Sequence, residues 1–181
     1  MTDETLKTEE ALLIGNTRKD MREFNALYLK YIQPVYRYAL SRIGSRAEAE
    51  DAAAQTFLAA LEGFPRYRDN GHFAAWLFSI ARRKTMDHFR YFSRHTELQD
   101  STPSNDEDIL QQAERKDRLA GLMAQVRSLS PDEQELLRLR YAAELSFAEI
   151  GILLKRNEDT VKKRLYRTLE RLHIQLEESN D

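Results

Sequence analysis

A run of cations stands near the C-terminus: Lys162, Lys163, Arg164 and Arg167, with Thr160 and Tyr166 set among them. Ammonium and guanidinium groups meet phosphate oxygens, and a guanidinium also fits a guanine edge; Thr and Tyr add polar and methyl contacts. The same stretch carries Val161, Leu165, Leu169 and Leu172 on one helical face, at about 100° per residue. Asp159, Thr160, Lys163, Arg167 and Glu170 fall on the opposite face, Lys162 and Tyr166 on one flank, and Arg164 on the other. Ahead of it, Ser146-Phe-Ala-Glu149 is a capping box that opens a helix running to Leu154, with Phe147, Ile150 and Leu154 inward. Lys155-Arg156-Asn157 makes a corner, and Asn157 is a good N-cap for the second helix. This is the division of faces of a helix-turn-helix, in which one side packs and the other enters the major groove. Spacing alone fits a solvated basic face equally well. Such corners often hold Gly. Here Lys155 stands in the corner, where left-handed backbone costs a non-glycine residue roughly 1 kcal/mol or more.

A second group has a different character. Tyr67, Arg68, Asp69 and Asn70 lie in a short loop, followed by Trp76, Arg82, Arg83, Lys84 and Arg90. Holding a base outside the stack takes an aromatic platform, hydrogen-bonding groups for the base edge, and cations for the backbone. Tyr67 suits the first task, Asp69 and Asn70 the second, and the cations the third. For Trp76 and Phe73 core packing is the favoured reading, with an edge of Trp76 lining the site.

The elements that position these residues are helical throughout. Met21, Phe24, Leu27, Tyr28 and Tyr31 recur at helical spacing. Pro34 suits the first position of a further helix carrying Val35, Tyr38, Ala39 and Ile43 inward, closed by Gly44. Ser45-Arg-Ala-Glu48 reads as a capping box for a helix to about Glu62, with Ala49, Ala53, Phe57, Ala60 and Leu61 inward. Residues 64–71 read as a loop, and a helix follows from about Phe73 to Tyr91 with Trp76, Leu77, Ile80 and Ala81 inward. Residues 93–109 are polar and acidic and cannot bury enough apolar surface to offset their ordering entropy, so they read as a flexible linker. An apolar period resumes near Ile109, and Ser130-Pro-Asp-Glu133 is a further capping box. The expected fold is all-α: two small helical domains joined by an acidic linker, the C-terminal one a helix-turn-helix. The boundaries are an extension at 1–16, a first domain at 17–92, the linker at 93–112 and a second domain at 113–181. Whether the first 16 residues form a short amphipathic helix stays open.

Composition narrows the classes. The 181 residues hold 28 basic and 30 acidic side chains, a net charge of −2, so only local clustering points to nucleic acid. There is no Cys, which removes disulfides and thiolate metal sites and fits a reducing cytoplasm. The N-terminus is too polar for a signal peptide, and no run reaches the ~18–20 apolar residues of a membrane span. No two of His72, His88, His95 and His173 sit at i, i+4 on a shared face with a carboxylate, and no Gly-rich loop opens a helix. No catalytic residue, metal, cofactor or small-molecule substrate is expected.

Ser146-Phe-Ala-Glu-Ile followed by Thr160-Val-Lys-Lys-Arg-Leu resembles the promoter-reading domain of bacterial sigma-70-type factors, most closely the extracytoplasmic-function (ECF) group. Ala49-Glu-Asp51 with Thr56-Phe57-Leu58 resembles the family's polymerase-binding helix. Phe73-Ala-Ala-Trp-Leu-Phe-Ser-Ile-Ala-Arg82 with Asp87-His-Phe-Arg90 resembles its promoter-melting segment. Order and spacing agree over roughly residues 20–92 and 115–173. The resemblance implies a cytoplasmic initiation factor whose first domain binds the clamp of core RNA polymerase through Glu50, Asp51 and Gln55 and opens the −10 element. Its second domain would read the −35 element and sit on the flap. It also implies an anti-sigma partner. Three positions depart from the family pattern: Ala54-Gln55 after the acidic motif, Arg83 where Asn is common, and Lys155 at the corner. Arg can only donate hydrogen bonds where Asn does both, so the −10 preference is expected to differ. The rival readings are a stand-alone helix-turn-helix regulator and a sigma-like decoy that titrates an anti-sigma factor.

Overall fold

The computed structural model describes the backbone of residues 3–92 and 121–178, with side chains over 8–87 and 121–177. The acidic linker, His95 and the side chains of His88 and Arg90 lie outside the described residues. The described chain is helical: α1 (Asp3–Lys19), α2 (Phe24–Ile43), α3 (Arg46–Gly63), α4 (Phe73–Phe92), α5 (121–128), α6 (Pro131–Leu137), α7 (Phe147–Leu154) and α8 (Glu158–Glu178). Short 3-10 turns stand at Met21–Glu23, before α2, and at Phe64–Arg66, where the loop before α4 starts. Arg138–Ala142 widen into a π turn after α6.

Most helix ends follow the sequence chemistry. Gly44 closes α2 at φ 86, the left-handed conformation that a glycine takes without a Cβ clash. Ser130 and Ser146 each accept from the amide three residues on, while Glu133 and Glu149 return the bond, two complete capping boxes. Ser45 is an exception: it caps α3 in extended backbone with no side-chain bond, its carbonyl accepting from Ala49 at 2.9 Å.

Pro34 does not start a helix. It lies inside a continuous α2. An interior proline removes one backbone bond and costs about 3 kcal/mol. The apolar stripe of Leu27, Tyr31, Val35 and Tyr38 runs across it fully or nearly fully buried, and each such side chain gains about 1.5–3 kcal/mol on burial. Burial on both sides of the proline outweighs the local cost. Leu61, expected inward, is 39% exposed, as are Met21 and Tyr28 to a similar degree. The N-terminal residues take the helical alternative: α1 buries Ile14 and Thr17.

The first four helices pack around Phe57, Ala60, Phe64, Phe73, Leu77 and Phe78. The C-terminal half contributes Leu136, Leu139, Leu145, Ile150, Val161 and Leu165 to the same continuous core. The two halves therefore meet face to face, α2 and α4 on one side and the π turn and α7 on the other. Polar links cross the same junction. Glu135 of α6 is buried; it accepts from Tyr38 Oη at 2.8 Å, Arg42 Nη1 at 2.5 Å and Arg82 Nε at 3.0 Å. Arg138 Nε donates to the Ser41 carbonyl at 3.1 Å, and Arg37 pairs with Glu144 at 2.7 Å. A buried carboxylate is tolerated because both of its oxygens meet donors and two of those donors are guanidinium ions.

Candidate nucleic-acid interface

The helix-turn-helix forms as the faces of its helices require. Val161, Leu165 and Leu172 of α8 are buried, and Leu169 is half-buried. Thr160, Lys162, Lys163, Tyr166 and Arg167 all face solvent. Asn157 Oδ1 accepts from the Asp159 amide at 2.8 Å, capping α8. Lys155 adopts the left-handed conformation, φ 54 and ψ 46. The Arg156 amide reaches back to the Gly151 carbonyl at 2.8 Å and the Lys155 amide to Ile152 at 3.2 Å, the paired bonds of a Schellman ending. The glycine that this corner needs is Gly151, inside α7. A Cβ there would lie 2.8 Å from the Arg156 carbonyl oxygen. The sequence reading missed this glycine, because close approach of two backbones leaves no local signature.

Charge on α8 is sorted by α6. Asp132 holds Arg156 at 2.8 Å and Arg164 at 3.3 Å. Those two guanidinium ions keep its carboxyl below the usual range, the Arg156 bond first. Glu133 takes the Ser130 amide and hydroxyl on one oxygen and Arg171 at 2.6 Å on the other. The Ser130 bond, with Arg171 behind it, holds Glu133 down to about 2. Lys162, Lys163 and Arg167 have no ion-pair partner among the described residues. The outer face of α8 thus presents Lys162, Lys163 and Arg167 unpaired, with Tyr166 half exposed beside Phe147, ring centroids 6.1 Å apart. Of the six residues expected on this face, Arg164 alone is turned toward a carboxylate.

The loop before α4 is arranged less openly than the sequence suggests. Tyr67 is only 7% exposed. Its ring lies in an aromatic cluster, 4.7 Å from Trp76 and 5.5 Å from Phe73 by centroid. Arg18 of α1 donates to its carbonyl at 3.1 Å, and its hydroxyl donates to Asp69 at 3.3 Å. In this conformation the ring is a wall rather than a free platform. Burial pushes the Tyr67 phenol well above the ordinary tyrosine range, with Asp69 adding to it. Asp69 also accepts from the Gly71 amide at 3.0 Å, which fixes the turn. Arg68, Asp69 and Asn70 stand exposed around it.

Beside this wall runs an open groove of about 260 Å³, between the end of α3 and the first turns of α4. Trp76 and Tyr67 form its aromatic side, Ser79 and Ile80 line it further along α4, and Arg66 and Arg83 bring two cations to it. Gly63 matters here: the Trp76 ring would lie 3.3 Å from a Cβ at that position. Arg66 and Ser79 belong to this site and were not singled out from the sequence; Arg66 sits in the 3-10 turn set by Pro65. The groove brings together an aromatic face, a hydroxyl and two cations, the set that a flipped base with its phosphates needs. Arg82 points away from it, to Glu135. Lys84 is half-buried on the same helix.

On α3, Glu50, Asp51 and Gln55 are all exposed, and Gln55 Nε2 donates to Asp51 at 2.6 Å. Helix-dipole stabilisation is confined to the first turn, where the acid is Glu48. Glu50 and Asp51 lie beyond it, so the dipole does not account for them. Leu58, one turn further along, is 57% exposed, which extends the patch with apolar surface.

Comparison with known proteins matches two segments of the chain to family models: Sigma-70 region 2 over residues 27–95, and Sigma-70, region 4 over residues 119–172. The ECF RNA polymerase sigma factor BldN of Streptomyces coelicolor is 34% identical over 158 residues, 82% of this chain; the match spans 58% of BldN. The ECF RNA polymerase sigma factor SigM of Bacillus subtilis is 30% identical over 152 residues, 81% of this chain and 90% of SigM. The fold is that of CnrH, solved in complex with the cytosolic domain of CnrY, at TM-score 0.67 and 21% identity, covering 92% of this chain and 96% of CnrH.

Proposed function

This chain belongs to the sigma-70 family of RNA polymerase sigma factors, in its ECF group, and from that premise we propose how its surfaces divide the work. It is a transcription initiation factor that binds core RNA polymerase and directs it to promoters, acting in the cytoplasm and performing no chemistry itself. Residues 17–92 form the polymerase-binding and −10 module, and residues 113–181 the −35 module. The observation that carries the reading is two separate nucleic-acid faces on one chain, one suited to an extruded base and one to a duplex groove.

The outer face of α8 reads the −35 duplex, with Lys162 and Lys163 on phosphates, Arg167 on a base edge, and Thr160 and Tyr166 flanking. The groove of Arg66, Tyr67, Trp76, Ser79 and Arg83 takes a base from the opened −10 strand, while Arg68, Asp69, Asn70 and Lys84 line the strand's approach. Glu50, Asp51 and Gln55, with Leu58, meet the polymerase clamp. No helix among the described residues is long and apolar enough to cross a membrane. Regulation by an anti-sigma factor fits the group: the relatives of known structure include RpoE of Bartonella quintana in complex with the anti-sigma factor NepR. A stand-alone duplex regulator has no use for the Tyr67–Arg83 groove, and a decoy has no use for the unpaired cations of α8. Run-off transcription with core polymerase, with and without the protein, tests the reading. Promoter-dependent transcript only in its presence is expected, and no such transcript from any genomic fragment refutes it.

A further inference from the structure

The loop before α4 is gripped from outside by α1. At 100° per residue Leu13, Thr17, Glu10, Ile14 and Arg18 fall in that order across one stripe of about 140°. Ile14 and Thr17 are buried and Leu13 packs on the core, which seats the stripe against the first domain. Thr17 Oγ1 donates to the Leu13 carbonyl at 2.8 Å, so its burial leaves no polar group unpaired. The two charged residues of the stripe reach the loop at its opposite ends. Arg18 Nη2 donates to the Tyr67 carbonyl at 3.1 Å, across 49 residues of chain. The Glu10 carboxylate accepts from the Phe73 amide, the first of α4, and from the Tyr31 hydroxyl, with Lys30 Nζ at 3.7 Å.

Both grips suit what they hold. The first amides of a helix are unpaired and carry the positive end of its dipole, so a carboxylate belongs beside Phe73. The Glu10 side chain is only 13% exposed, and its charge is satisfied by the groups it meets there. Residues 67–72 lie between the two gripped groups and form neither helix nor strand. Arg68, Asp69, Asn70 and Gly71 among them are exposed. Glu10 and Arg18 stand two turns apart, about 12 Å along the axis of α1. A rigid helix therefore sets the span of a loop that has little packing of its own. Neither residue lines the groove, so any effect on the groove passes through the loop. Both also precede residue 27, where the region 2 match begins.

We propose that α1 is a brace for base capture, in which Arg18 and Glu10 are positioning residues that fix the two ends of the 67–72 loop before the −10 base arrives. The proposal rests on the reading of the Tyr67–Trp76 groove given above. Tyr67 is the residue on which the brace acts most directly. Its carbonyl is on Arg18, its hydroxyl on Asp69, and its ring 4.7 Å from Trp76 by centroid. A loop ordered in advance loses less conformational freedom when the strand docks, so more of the stacking free energy is left to hold the opened base. Releasing either end lets the Tyr67 ring leave the wall, and capture of the base weakens while the rest of the molecule is unchanged.

The test uses holoenzyme, assembled from core RNA polymerase and the full chain, on forked promoter fragments with single abasic sites scanned through the −10 strand. With the parent chain, one position is expected to weaken binding by roughly 5- to 150-fold, the range for loss of one stacked base. With Arg18→Ala, and separately with Glu10→Ala, that abasic penalty is expected to shrink by about 2- to 10-fold. Affinity for core polymerase and for a −35 duplex is expected to stay at the parent value, which a general loss of folding would not allow. Arg18→Lys keeps a donor for the Tyr67 carbonyl and is expected to restore most of the penalty. Variants that keep the parent's full abasic penalty overturn the brace and leave the groove reading intact. Variants that lose core binding and DNA binding together also overturn it, since α1 then serves the fold alone. A parent holoenzyme with no abasic-sensitive position refutes the groove reading itself. If Glu10→Ala does not fold, the exposed Arg18 decides.

Discussion

Gly151→Ala sets two physical effects of opposite sign against each other. Gly151 lies inside α7, where Ala is favoured over Gly by about 1 kcal/mol of helix propensity. Propensity alone therefore expects a more stable protein. The structure expects the reverse, because the new Cβ would stand 2.8 Å from the Arg156 carbonyl oxygen, with Glu158 backbone atoms at 3.5 and 3.7 Å behind it. No flexible side-chain tip can yield here. The obstacle is backbone, held in turn by the Arg156 amide bond to the Gly151 carbonyl at 2.8 Å. The whole corner must shift by several tenths of an ångström, and overpacking of this kind costs about 1–3 kcal/mol. Set against the propensity gain, a net loss of roughly 1 kcal/mol is expected, or about 2–4 °C in Tm for a chain of this size. The larger effect falls on DNA binding, since the corner aims α8. Thermal unfolding by circular dichroism gives the first quantity, and anisotropy titration of a −35 duplex the second. The companion variant Lys155→Gly removes a left-handed penalty of about 1–2 kcal/mol. It adds back about 0.5–1 kcal/mol of backbone entropy, so it stabilises slightly. The two changes share one corner and should not be additive. A Gly151→Ala protein with a raised Tm and unchanged affinity would refute the account of the corner.

Two other outcomes follow from the site. Arg167→Ala should weaken −35 duplex binding by about 1–3 kcal/mol and relax preference at one base pair, whereas Lys163→Ala should lower the salt slope by about one without changing sequence preference, both read in the same titration. Glu133 is held from an ordinary 4.5 down to about 2 by Ser130 and Arg171, so its ionised form favours folding. That contribution is fully present above about pH 4.5 and is lost as pH falls toward 2. The gap in Tm between parent and Glu133→Gln should therefore close over that range, and a gap independent of pH would exclude the carboxylate as its source.

What the sequence determined by itself is local. Capping boxes at Ser130 and Ser146, the Gly44 stop, the Asn157 cap and the apolar stripe of α8 are set by neighbours three or four residues away, and the folded chain keeps them. The polar outer face of α8 was legible for the same reason, because a helix with one buried stripe has only one place to put its cations. Family membership was legible through ordered motifs rather than any single one. The tertiary structure decided the rest. Pro34 reads locally as a helix start, yet burial along α2 carries the helix through it. Tyr67 reads as a loop aromatic, yet Trp76, Phe73 and Arg18 enclose it. Gly151 and Lys155 exchange the expected roles, because the tightness of the corner is set by how closely α7 and α8 approach. Glu135 gave no local signal at all: its partners lie 53 to 97 residues away in the chain. Periodicity reports which face of a helix is buried, but not against what. The joining of two separately readable halves through one buried carboxylate is a long-range choice, made by the packing of α6 on α2 and α4.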